Sequence, residues 1–335
     1  MTNFKKPTKV KSRLRVLRTE DKGSAFHRSE SAAEILTRLG PPRSLLSSSA
    51  KTHKSAKVGV LSKILYMPSG IFCPAASDAC RKSCLGHTSG HMGQQRAATA
   101  RDRRAALYLE DQNVFMTMLR GELWSLAAEA HASSLIPAMR LNGASDVVWE
   151  LLHREIFDEF PMIQFYDYTK MKHRMMGDFL EGRIKNRTWP ANYHLCFSGD
   201  GNRPEHSCEV LQAGGTVALV FWPELPTTWL GSPVVDGDEH DARFLDPKGH
   251  IIGLRAKGVA RVDADGFVIR PCPTCGPLAE QMMLIRETIG THRELVHVCN
   301  RCSRQVESRW AVSHRDSSMN LLDSLAIPPN GNLLN

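Results

Sequence analysis

The sequence has no run of about 18 or more apolar residues, so no helix is expected to span a bilayer. Its first stretch, MTNFKKPTKVKSRLRVLRTE, lacks the apolar centre of a secretory signal. No membrane partner and a cytoplasmic location are therefore expected, in a compartment where structural disulfides are rare. No EF-hand spacing is present, so the acidic run Asp236–Asp241 (DGDEHD) reads as an exposed loop rather than a calcium site. No glycine-rich motif for S-adenosylmethionine stands out. Against these absences stand nine cysteines in 335 residues, and in a reducing compartment metal binding is the leading use for them.

Charge is unevenly placed. Residues 1–58 hold 14 Lys or Arg against four acids, whereas the other 277 residues hold 29 basic and 31 acidic groups. The basic character belongs to the leading segment, which reads either as a solvated tail or as a polybasic arm that neutralises phosphates. Within it a short helix is expected near Ser31–Arg38, ended by Gly40-Pro41-Pro42, and the Ser- and Lys-rich stretch SLLSSSAKTHKSAK reads as a linker.

From Val58 onward short apolar runs recur: VGVLSKILYM, IPAMRLN (136–142), MIQFYDY (162–168), YHLCFS (193–198), TVALVFW (216–222) and HIIGLRA (250–256). Helical patterns lie between them, including one long stretch from Gln94 to Ala130, then Val147–Glu159 and Lys172–Arg187. This rhythm predicts strand–helix–strand units and a mainly parallel sheet, with a (β/α) barrel or partial barrel preferred over a doubly wound open sheet. The expected division is a basic arm and linker (1–57), a barrel-like catalytic domain (58–261), a four-cysteine module (262–312) and a tail (313–335).

Cys272-Pro-Thr-Cys275 and Cys299-Asn-Arg-Cys302 form two CxxC units. Two thiolates three positions apart on a tight turn face one ion, and a second such turn completes a tetrahedron, so structural Zn²⁺ in a ribbon-like appendage is expected. A second group, Cys73, Cys80 and Cys84, sits in the loop after the first candidate strand. Three cysteines in one loop can bind three irons of a [4Fe-4S] cluster and leave the fourth open to an outside ligand such as S-adenosylmethionine. Two other readings stay open: a zinc site of Cys80, Cys84, His87 and His91, or unmetallated thiols. Cys196 reads as a buried strand residue, and Cys208 as no ligand.

Polar residues gather at the ends of the strand-like runs. Asp146, Asp167 and Lys170 are candidate catalytic groups, with Asp200 beside them. Asp146 reads equally well as a helix cap before VVWELL.

The segments FCPAASDACRKSCLG, RLNGASDVVWE, IQFYDYTK, CFSGDG and FLDPKGHIIGLRAKG, with the closing cysteine pairs, resemble the gene product 88 family of phages and other mobile elements. The resemblance covers roughly residues 58–305 and implies a barrel similar to those of radical S-adenosylmethionine enzymes. It also implies a cluster on Cys73, Cys80 and Cys84, with Asp146, Tyr168, Thr169 and Lys170 near it, and a plasmid or phage origin. Three functions follow as expectations. The first is an iron–sulfur enzyme modifying a nucleic acid or nucleotide, with the arm and zinc module holding the polymer. The second is a base-exchange enzyme with an Asp nucleophile and structural zinc. The third is a zinc-stabilised nucleic-acid-binding or host-interaction protein without catalysis.

Overall fold

The computed structural model describes residues 19–176 and 189–270, and the backbone of residues 281–287, 293–299 and 310–312. Its centre is a mixed α/β sheet whose strands run in nearly sequential order. From one edge they are β1 (Leu46–Ser47), β2 (Val60–Leu65), β3 (Ile136–Arg140), β4 (Gln164–Thr169), β5 (Tyr193–Ser198) and β6 (Thr216–Phe221). Then come β9 (Ile251–Arg255), β8 (Ser232–Asp236) and β7 (Thr228–Trp229). Neighbours from β2 through β6 to β9 and β8 pair in parallel, and only the short edge strands β1 and β7 pair antiparallel. All six apolar runs read as strands form strands here. The β7–β8 hairpin is an addition, its residues too few and too mixed to give a periodic signal.

Strand side chains alternate between two faces. One set (Leu65, Met139, Phe165, Tyr193 and Leu195) joins the main core with α5 (Gln95–Glu110) and α6 (Gln112–Ala132). Tyr108 of α5 lies edge-on to Phe115 of α6, centroids 5.2 Å apart, and 5.7 Å from the ring of Trp149. Each such fully buried ring contributes roughly 1.5–3 kcal/mol through apolar area removed from water. The expected single helix from Gln94 to Ala130 is instead two. Asp111 closes the first by donating its N–H to Leu107 O (2.8 Å) and caps the second by accepting from Val114 N (3.0 Å).

The opposite set is small or polar: Ala138, Cys196 and Ala218, with Arg140, Tyr166 and Tyr168. Their small size admits the segment 237–246 against this face. There Phe244 meets the Tyr166 ring at 5.6 Å, and Asp241 pairs with Arg140 at 3.1 Å. The run Asp236–Asp241 is thus not the exposed acidic loop expected from its composition. Asp241 is buried, and Asp236 and Asp238 pair with Arg255 (2.7 Å) and Lys257 (2.5 Å).

The leading segment also departs from the expected arm and linker. Residues 1–18 lie outside the described residues, but from Thr19 the chain packs on the body. Asp21 pairs with Arg101 at 2.6 Å, and Asp102 accepts from Ser24 Oγ (2.6 Å) and Ala25 N (2.7 Å). The expected short helix is α1 (Ala32–Leu39), held by a capping box between Ser31 and Glu34. The supposed linker forms β1 and the Ser49-capped helix α2 (Ala50–Ala56). Composition misleads here because Ser and Lys serve as caps and solvent-facing positions of an ordered segment. Farther on, the strands Gln281–Glu287, Arg293–Cys299 and Trp310–Val312 form a three-stranded antiparallel sheet. No helix among the described residues is long and apolar enough to cross a membrane.

Candidate functional site

The loop after β2 carries the three cysteines across the carboxyl-terminal ends of the parallel strands, where α/β folds place their sites. Met67, Ile71 and Phe72 are buried and anchor its start, so Cys73 emerges from the core rather than from a free loop. Ser77 then begins α3 (Asp78–Lys82) by accepting from Cys80 N (3.0 Å), while its hydroxyl donates to Asp200 Oδ2 at 2.5 Å. One serine thereby starts the cysteine helix and ties it to the end of β5. Cys84 precedes α4 (Leu85–Thr88). A Cβ at Gly86 would lie 2.9 Å from Ala144 Cβ and 3.3 Å from Cys84 Sγ, so glycine permits this close approach to the loop after β3. Cys73 Sγ approaches the carbonyl of the same Ala144 at 3.7 Å.

The three partly buried thiols are electrostatic neighbours. Burial pushes the Cys73 thiol well up, and the neighbouring Cys84, Asp146 and Cys80 add to this. Burial likewise pushes Cys84 up to about 11, reinforced by Cys80. Cys80 is raised by burial and drawn back by Lys170. Three thiolates here would repel one another, and a bound cation is what reverses that balance. Among the described residues no group of three His, Cys, Asp or Glu side chains converges at the distances of a single metal ion. Of the alternative set Cys80, Cys84, His87 and His91, His87 bonds Ser69 Oγ through Nδ1 at 2.8 Å. A cluster of several irons gives each thiolate its own iron, and this donor set of three fits such a group.

Below the cysteines the strand ends are stitched together by buried carboxylates. Asp146 accepts from Lys170 N (2.8 Å), Thr169 Oγ1 (3.2 Å) and Arg174 Nη1 (2.7 Å), and its own N–H donates to Phe72 O (2.9 Å). Arg174 also forks onto Glu150, Nε and Nη2 at 2.8 and 2.7 Å, and reaches the Tyr193 hydroxyl at 3.2 Å. Asp167, fully buried, accepts from Asn142 N (2.6 Å), Asn142 Nδ2 (3.1 Å) and the Tyr193 hydroxyl (2.9 Å). Burial holds its carboxyl up at about 7.

These partners show what each candidate catalytic residue touches. Asp146 does not cap VVWELL. The cap position of α7 (Trp149–Leu152) is Val148, and the Asp146 carboxylate locks β3's loop to β4's end. Asp167 lies on the helix-side face of the sheet, and both carboxylates are buried and hydrogen-bonded. Lys170 differs: its Nζ donates to Gly199 O (2.8 Å), lies 4.7 Å from the Phe267 ring centroid and exerts its charge on Cys80. It belongs with the cysteines, and so does Asp200 through Ser77. The reading of the sequence missed Arg174, Glu150 and Tyr193. Arg174 lies in the run Lys-Met-Lys-His-Arg, which looks like a solvated helix face, and only the long-range contacts reveal it.

A family model described as gene product 88 matches residues 43–276. The chain belongs to the gene product 88 family. The match takes in Cys73, Cys80, Cys84 and every strand of the large sheet, and its start at residue 43 places β1 and α2 within the gene product 88 unit. No curated protein and no solved structure matches the chain. Cys196 is buried in β5 as expected, and Cys208 lies in α8 (Pro204–Gln212), its thiol pushed up to about 12 by burial. Cys272, Cys275 and Cys302 lie outside the described residues. For Cys299 only the backbone is described, at the end of its strand.

Proposed function

We propose that this protein is an iron–sulfur enzyme of a mobile element, with Cys73, Cys80 and Cys84 as the cluster ligands, acting on a nucleic acid or nucleotide. The observation that carries this reading is the placement of Cys73, Cys80 and Cys84 on one loop at the carboxyl ends of parallel strands, with Lys170 acting on Cys80 and Asp200 bonded to Ser77 of the same loop. The sequential strand order supports a partial (β/α) barrel, because crossovers of one hand place all connecting helices on one face and let the sheet curl around the other. When bound, the cluster supplies one-electron chemistry at an iron that no protein thiolate occupies, the position S-adenosylmethionine would take. The chain's own residues do the rest. Lys170 places a positive charge beside Cys80, favouring its thiolate, while Ser77 and Gly86 fix α3 and α4 against the strand ends. The base-exchange alternative loses support, since Asp146 and Asp167 are fully engaged. Structural Zn²⁺ on Cys272, Cys275, Cys299 and Cys302, and polymer binding by the basic residues before Thr19, complete the proposal.

The test is anaerobic purification and reconstitution with iron and sulfide. A brown protein with broad visible absorbance is expected, and Cys73→Ala, Cys80→Ala and Cys84→Ala should each lose that absorbance while keeping their zinc. A reconstituted wild-type protein that stays colourless and iron-free would sink the reading.

A further inference from the structure

A pocket of about 350 Å³ opens between the start of α5, the end of β2 and the turn at β1, a size within the usual range for small-molecule sites. Arg96, Arg101 and Arg104 of α5 line it, together with Gln94 at the helix start and with Ser47 and Tyr66. Ala97 and Ala100 between the arginines leave the space open. None of the residues lining it is acidic.

The state of the arginines matters more than their number. Arg101, 1% exposed, pairs with Asp21 and donates Nη1 to Met92 O (3.0 Å), but its Nε is buried without an acceptor. Arg104, 8% exposed, donates to Ser44 O (3.2 Å), Tyr66 O (3.5 Å) and Ser47 Oγ (3.1 Å). No carboxylate pairs with Arg104 among the described residues. Glu122, whose charge it feels, spends both oxygens on Leu45 N (2.6 Å) and Leu46 N (2.8 Å). Burial without a counter-ion disfavours the Arg104 charge. Arg96 is exposed at the mouth. The helix that carries all three begins after Gln94, itself a lining residue, with no side-chain cap and no acid in its first turn, so the helix dipole adds positive potential at that end.

A buried guanidinium lacking its anion, a second arginine exposed at the mouth, an uncapped helix start and hydroxyls at hand form a receptor for a dianion. We propose that this pocket binds a phosphate monoester, with Arg96 and Arg104 holding the phosphate at the start of α5. The pocket neighbours the cysteine site, since Arg101 exerts its charge on Cys84, yet its occupancy requires no metal. The phosphate comes either from a free mononucleotide or from the 5′ end of a strand.

Calorimetric titration of the full chain separates these sources, using AMP, a short 5′-phosphorylated oligodeoxythymidine and its unphosphorylated twin as probes. Saturable binding of AMP, or of the phosphorylated strand but not its twin, is expected. Arg96→Glu should weaken it by at least about tenfold, the loss of one charge-assisted contact. The melting temperature should hold, because the exposed Arg96 side chain makes no hydrogen bond or ion pair among the described residues. Arg104→Lys, which keeps the charge but loses the fork, should weaken binding as well. Absence of heat with every phosphate-bearing probe at millimolar concentration overturns the proposal. So does binding of both oligonucleotides alike with no effect of Arg96→Glu, which assigns the affinity to the basic N-terminus.

Discussion

Two buried arginines, Arg174 and Arg104, sit in one fold under opposite conditions. Arg174 (5% exposed) grips Asp146 and Glu150 at 2.7 Å each, and every donor it has toward the strand ends is answered. Arg104 (8% exposed) meets, among the described residues, only carbonyl and hydroxyl oxygens. The difference teaches how to tell a lock from a receptor. Burial and residue type are the same, and the count of carboxylates within reach decides which one holds the fold and which one awaits a ligand.

The comparison can be broken most directly at Arg174. Arg174→Met leaves two carboxylates buried without a cation, and should cost about 3–5 kcal/mol in urea unfolding. Arg104→Met removes hydrogen bonds but also a charge without a counter-ion, so a smaller loss of about 1–2 kcal/mol is expected. Equal losses for the two variants would erase the distinction. Asp167 sharpens it through pH. Its carboxyl is raised to about 7 in the folded state from an ordinary value near 3.8, so between those values the folded protein binds the extra proton. Stability from this group is full below the unfolded value and falls as pH rises toward 7, by at most about 1.4 kcal/mol per pH unit. Asp167→Asn should flatten that decline when unfolding is followed at pH 5 and pH 7.5; an unchanged slope would assign the pH dependence elsewhere.

Much of the scaffold was legible in the residues. Each apolar run read as a strand became one, because parallel strands covered on both faces must be apolar nearly throughout. The Ser31–Glu34 capping box announced α1 by its own local hydrogen bonds. What the sequence hid were partnerships across long separations. Asp241 looks solvated beside four other polar residues, yet Arg140, about a hundred positions earlier, draws it into the interior. Asp111 gives no warning that it divides a long helix, since both helices keep the same periodicity on either side. At the site, the cysteines and Lys170 were readable as chemistry. The aspartates were readable only as carboxylates, and their burial and donors emerge from contacts across the strand ends.

That frame has a consequence for any molecule that lands on it. Asp146 binds the backbone N–H of Lys170, Lys170 reaches the carbonyl of Gly199, and Asp200 next to it holds Ser77 of the cysteine helix. Three strand ends and the thiol-bearing segment are thus one continuous rim. A guest meets a surface already in its final shape, so little ordering entropy is spent on association, and molecules that need the rim to bend are turned away by geometry alone.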